Sequence, residues 1–118
     1  MANTKNLTGD LLTVLLDTTG TVNLGEAAEG AVGSWVLQIS GTFSGSLVLR
    51  KKVRRGTVAD ASAATTYYEL FNTGVSTAAG TALTGAALVK VACDGCDLIL
   101  DYTATSGTMV VECVPLLG

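Results

Sequence analysis

Histidine is absent from this 118-residue chain. Its absence removes the commonest general base, the commonest metal ligand and the usual switch near neutral pH. Charge is also scarce: 14 % of residues are Asp, Glu, Lys or Arg, against 48 % hydrophobic. That ratio excludes charge-driven disorder and demands a surface built largely of Thr, Ser, Gly and Ala. Such a surface costs little to desolvate, which favours burial against copies of itself or a larger assembly; a Thr-rich soluble monomer is the plain alternative. A net charge of -3 and a pI near 4.6 lack the basic field that neutralises phosphates, so no nucleic-acid partner is expected. The opening Met-Ala-Asn-Thr-Lys-Asn has no apolar run after a positive region. Neither a secretory signal nor a membrane partner is expected, and synthesis in a reducing cytoplasm follows.

What is present is β-rich. Residues Trp35 to Leu49 read Trp-Val-Leu-Gln-Ile-Ser, Gly-Thr-Phe-Ser-Gly, Ser-Leu-Val-Leu, two short runs around a glycine-bounded connection. The composition predicts a β-hairpin. Trp35, Leu37 and Ile39 share one parity and Gln38 and Ser40 the other, so one face must be covered and Trp35 is expected in the core.

In chain order, residues 1–10 are polar and aperiodic and predict a flexible N-terminal arm, followed by one β-sandwich domain over 11–118. Leu11 to Leu16 predicts a buried strand, and Thr21 to Leu24 a second one closing a hairpin through Thr-Thr-Gly. Gly25 to Gly33 predicts a loop across the sheet, and residues 57–66 an extended excursion. At Tyr67 to Phe71 a capping-box helix competes with a strand; the aromatic run stops at Asn72-Thr-Gly, which favours the strand. Ala87 to Cys93, Asp97 to Thr103 and Thr108 to Val114 alternate apolar and polar residues as three more strands. In these, Val89, Val91, Leu98, Leu100, Tyr102, Met109, Val111 and Cys113 point inward. The sum is an all-β chain, a single antiparallel β-sandwich or jelly roll of about seven to eight strands. Its apolar end, Val114-Pro-Leu-Leu-Gly118, is expected to pack on its own domain.

Few residues suggest chemistry. Cys93-Asp-Gly-Cys96 can be a hairpin turn, a disulfide formed across that turn in oxidising surroundings, or half a zinc site; without a second C-x-x-C or any His, the turn is preferred. Cys113 reads as a small core residue. Gly20-Thr-Val-Asn-Leu-Gly25 has phosphate-loop glycine spacing but lacks the Lys and Ser/Thr that contact phosphate and magnesium. Asn6-Leu-Thr8 matches a glycosylation sequon by chance, given no secretory signal. Asp97 and Asp101 share a strand face and are expected in solvent. No catalytic residue, metal ligand or cofactor is expected, so the chain reads as a non-enzyme. Arg50, Lys51, Lys52, Arg54 and Arg55 hold five of the seven basic residues. They read first as a solvated strand end, then as a grip on an acidic protein partner, and last as a contact to nucleic-acid phosphate. With Thr4, Lys5 and Asn6 of the arm they are the candidate partner-binding residues. Trp35, Tyr67 and Tyr68 are candidates for a sugar-stacking platform.

The run Gly33-Ser-Trp-Val-Leu-Gln-Ile-Ser-Gly-Thr-Phe-Ser-Gly-Ser-Leu-Val-Leu49, the later Tyr-Glu-Leu-Phe71 and the closing Gly-Cys-Asp-Leu-Ile-Leu-Asp-Tyr-Thr-Ala-Thr-Ser-Gly-Thr-Met-Val-Val111 resemble the small β-sandwich structural proteins of tailed bacteriophage virions. The likeness covers about residues 33 to 114. The basic Lys51-Lys-Val-Arg-Arg55 segment stands where many of those proteins have a shorter polar turn. The resemblance implies a virion structural protein of the head decoration (cement) type. Such a protein is made in the host cytoplasm, forms a homo-oligomer, typically a homotrimer, and binds the major capsid protein. A tail, neck or fibre component is the alternative, and a carbohydrate-binding module the alternative from another class.

Overall fold

A computed structural model of the chain describes residues 3–8, 11–24, 32–54, 63–70, 76–93 and 95–117. Eleven strand segments are present among them: β1 (Thr4–Thr8), β2 (Leu11–Leu16), β3 (Gly20–Asn23), β4 (Val32–Ser40), β5 (Phe43–Val53), β6 (Ala63–Ala64), β7 (Tyr67–Glu69), β8 (Ser76–Thr77), β9 (Ala87–Ala92), β10 (Cys96–Gly107) and β11 (Met109–Leu117). They form a 7-stranded sheet, β1-β2-β11-β4-β9-β7-β8, and a 4-stranded sheet, β3-β10-β5-β6, with every pairing antiparallel. The all-β sandwich expected from the alternation is the observed architecture. The count exceeds the expected seven to eight because β6 and β8 have two residues each and because the N-terminal segment adds β1.

Alternation decides what each sheet buries. Leu12, Val14 and Leu16 of β2, Trp35, Leu37 and Ile39 of β4, Val89 and Val91 of β9, and Met109, Val111 and Cys113 of β11 form the inner layer of the larger sheet. Val22 of β3, Leu47 and Leu49 of β5, and Leu98, Leu100 and Tyr102 of β10 face them. Each fully buried Leu or Ile stabilises the fold by roughly 1.5–3 kcal/mol relative to exposure. Trp35, 2 % exposed, is the core anchor its strand parity predicts. Leu83 seals the β5 side: it exchanges both backbone hydrogen bonds with Leu47, at 2.9 and 2.8 Å.

The expected hairpins are the main correction. β4 and β5 do not pair; β4 lies in the larger sheet between β11 and β9, and β5 in the smaller sheet between β10 and β6. With both edges of β4 occupied, the chain has nowhere beside it to return. At Gly41, with φ of 99°, it turns instead into the opposite sheet. The same holds for β2 and β3 and for β10 and β11, which also belong to opposite sheets. The order β2-β11-β4 in one sheet therefore matches β3-β10-β5 in the other, so three arches stand side by side, each joining two facing strands.

Their corners interlock at one end of the sandwich. Thr108 N–H donates to Thr42 O at 3.0 Å, and Ala104 N–H to Thr19 Oγ1 at 2.9 Å. A Cβ at Gly41 would stand 2.5 Å from Thr108 O, and one at Gly107, with φ of 73°, would overlap Thr42 O. Both corner glycines thus answer to conformation and to space.

The arm expected over residues 1–10 is also corrected. Residues 4–8 form β1, in register with β2 from Thr4↔Leu15 to Thr8↔Leu11. Asn3 anchors its start: Oδ1 accepts the N–H groups of Asp17 (2.9 Å) and Thr18 (3.0 Å), while Nδ2 donates to Thr18 O (2.8 Å). One Asn side chain so satisfies the β2–β3 corner and removes the freedom that polarity alone implied.

Tyr67–Glu69 is a strand, as preferred over the helix; Phe71 and the loop positions 25–31 lie outside the described residues. The excursion over 57–66 is described only from residue 63, where Ala63–Ala64 pairs with Lys51 and Arg50 of β5. The apolar end does pack on its own domain, with β11 in register with β4 as far as Leu117↔Val32.

Candidate functional site

Strand parity assigns each candidate to a face. In β1, Lys5 and Leu7 pair with Val14 and Leu12 and share their inner side, whereas Thr4, Asn6 and Thr8 share the outer side with Leu15, Thr13 and Leu11. All five β1 residues are exposed. Lys5 reaches across the open side of the sandwich, and its Nζ donates to Asn23 O of β3 at 2.9 Å. It ties one sheet to the other.

The basic run does not make one patch. Arg50 and Lys52 alternate with Lys51 and Val53 along β5, so the strand divides them between its two sides. Arg50 Nε is paired with Asp101 Oδ2 at 2.8 Å, with side chains 28 % and 27 % exposed. A partly exposed pair of this kind contributes about 0–1 kcal/mol and leaves little net charge for a ligand. Lys52 lies opposite Asp97 in register, and Arg54 N–H donates to Gly95 O at 3.3 Å. Arg55 lies outside the described residues. β10 separates β5 from β3, the strand that Lys5 touches, so the structure does not bring Thr4, Lys5 and Asn6 together with the basic run.

Asp97 is a correction. It is 7 % exposed rather than solvated and accepts from Asn23 Nδ2 at 3.4 Å; Ile99, next but one on the same outer side of β10, is fully buried. This end of the smaller sheet's outer side is covered, so the Asp97/Asp101 pair is split between a buried polar contact and an ion pair.

The Cys93–Cys96 turn is real: Cys96 N–H donates to Cys93 O at 2.9 Å, with Gly95 at φ of 79°. It does not close a hairpin, however, because β9 and β10 lie in different sheets. Cys93 is buried and Cys96 half-buried. Among the described residues, no three or more His, Cys, Asp or Glu side chains are grouped to hold a metal ion. Cys113 is fully buried, and burial first and Glu112 second push its thiol up to about 12. A thiol held neutral in this way is inert at ordinary pH. Burial and then Asp17 likewise raise the Tyr102 phenol, whose oxygen is the buried side-chain polar atom without a hydrogen-bond partner among the described residues.

The surface that strand-by-strand reading missed is the outer side of the 7-stranded sheet. Register carries Leu15, Val110, Ser40 and Thr4 across it in one row, and Val114, Val36, Lys90 and Tyr68 in another. Leu15 is 41 %, Tyr68 47 % and Leu116 40 % exposed. Among the described residues of this side the charges are Glu112 and Lys90. Each strand by itself shows a few outward apolar residues; only the sheet order makes them neighbours. Tyr68 is exposed there, whereas Trp35 and Tyr67 are buried, which leaves one ring of the three named for sugar stacking.

Comparison of the chain with protein-family models, with curated proteins and with solved structures finds no match.

Proposed function

We propose that this protein is a non-enzymatic virion structural protein of the head decoration type, which self-associates and binds the outer capsid shell. The observation that carries the reading is the outer side of the 7-stranded sheet, where Leu15, Tyr68 and Leu116 stand exposed among Thr, Ser and Gln. A broad, sparsely charged face loses little hydration on meeting another protein, and the apolar side chains spread across it supply the gain. The resemblance of residues 33 to 114 to phage virion sandwiches supplies the identity of that protein, the major capsid protein, and the expectation of trimers. The tail, neck or fibre role uses the same physics and is separated by location.

Co-sedimentation with undecorated heads is the test. The intact chain should saturate a regular lattice, and Leu15→Glu, which places a carboxylate on the face, should weaken attachment by about tenfold or more while the protein still folds. Failure to bind heads, with label on virions confined to the tail, would transfer the protein to the alternative role.

A further inference from the structure

We infer that the outer edge of β1, beside which no described strand lies, is a self-pairing edge through which two copies of this chain join their larger sheets about a two-fold axis at Asn6. Among the described residues four strands edge the two sheets, and three of them are short: β3 has four residues, while β6 and β8 have two each. Short edges are one of the ways sheets avoid pairing with other chains. β1 is different. It is five residues long, exposed throughout, in unbroken register with β2, and free of proline and bulges. Its one charge does not guard the edge either, because the Lys5 amine is drawn across the sandwich to Asn23 O at 2.9 Å.

The sequence Thr4-Lys-Asn-Leu-Thr8 is complementary to itself when run antiparallel. With Asn6 opposite its own copy, Thr4 meets Thr8 and Lys5 meets Leu7 of the second chain. Thr–Thr and amide–amide pairs are favourable cross-strand neighbours, and no like charges stand face to face. Leu7, 51 % exposed in the single chain, gains the aliphatic stem of the opposing Lys5 as cover. A two-fold contact is isologous and closed, so it yields a pair rather than an open fibre. Each strand also gains main-chain partners along an edge that no described strand occupies. The contact is independent of head binding. If other surfaces build a trimer, it joins two of them, and the assembly is even-numbered in either case.

Sedimentation equilibrium of the full chain tests this. The intact protein should have an even-numbered mass, and Asn6→Lys and Asn6→Glu should each halve it by setting like charges opposite one another. Mixing the two variants should restore the original mass, because the opposed residues are then Lys and Glu. An odd-numbered or monomeric intact protein, variants of unchanged mass, or a mixture that stays at half mass would each overturn the proposal. Should one variant fail to fold, amide exchange over Thr4–Thr8 of the intact chain decides. Protection that rises with protein concentration supports the pair, and protection independent of it overturns the pair. Neither readout involves heads, so the decoration reading stands or falls separately.

Discussion

The two ends of the sandwich use the same local device under different constraints. At one end Gly41 and Gly107, with φ of 99° and 73°, sit inside the interlocked corners, where an added Cβ would meet the backbone of the neighbouring arch. At the other, Gly95 turns the chain between Cys93 and Cys96 with φ of 79°, and an added Cβ would meet nothing within 4 Å. Conformation alone is needed at the second end; conformation and empty space are both needed at the first. A positive φ is thus a poor guide to the cost of a substitution until the packing around it is known.

The largest effect expected from this contrast is at Gly107. Gly107→Ala combines a left-handed alanine, about 1–2 kcal/mol, with a clash against backbone that cannot swing aside, about 1–3 kcal/mol. Urea unfolding should show a loss of about 2–5 kcal/mol, and a loss no larger than that of Gly95→Ala would erase the distinction between the ends.

Between the two ends lies Cys113, which gives the core a pH limit. Its folded-state pKa of about 12 exceeds the ordinary 9.0, so the folded state prefers the neutral thiol. The stability this contributes is complete below pH 9.0 and is lost as pH rises towards about 12, by an amount on the order of a few kcal/mol. The raised phenols of Tyr67 and Tyr102 act in the same direction from pH 10.0 upward. The free energy of unfolding followed against pH should fall steeply in this window for the intact chain and less steeply for Cys113→Ala. Identical alkaline limbs would mean that the thiol does not report the core.

At the open end, Gly95→Ala should cost only the conformational part, about 1–2 kcal/mol, and Gly95→Asn less, because Asn tolerates the left-handed region. A thermal melt of each checks the order, and equal losses for Ala and Asn would remove φ as the reason.

The smallest effect sharpens the crowded end. Among the described residues the buried Tyr102 hydroxyl has no partner, and a Cβ at Gly45 would stand 2.5 Å from that oxygen. Tyr102→Phe should therefore be neutral or stabilising by up to about 1 kcal/mol. In a double-mutant cycle, Gly45→Ala should cost less in the Phe background than in the Tyr background. Additive losses would show that the hydroxyl is not what keeps residue 45 a glycine.

Much of the core was legible strand by strand. Leu37, Val91, Leu100 and Val111 were assigned inward from parity, and each is fully buried. The turns were legible as turns, at Gly41, Gly95 and Gly107, but not in their destinations. A Gly-rich link suits a hairpin and an arch equally well, and the choice rests on who occupies the edges of the strand before it. The anchoring of β1 was hidden for a related reason: Asn3 holds the corner at Asp17 and Thr18, a contact across 14 and 15 positions that composition does not report. Thr4, Lys5 and Asn6 were named as part of an arm and lie instead in β1. The outer apolar rows were missed because Leu15, Val110 and Tyr68 belong to different strands.

What this sequence determined by itself is the side on which each residue of a strand lies, because side chains alternate with a period of two whatever the strand pairs with. The inner layer and the outer Thr and Ser follow from that local rule. What only the tertiary structure decided is which strands are neighbours. Pairing is a competition among partners far apart in the chain, won here by β11 and β9 on either side of β4. Those choices sent β5 to the opposite sheet, stacked the three arches, and gathered Leu15, Val110 and Tyr68 onto one face.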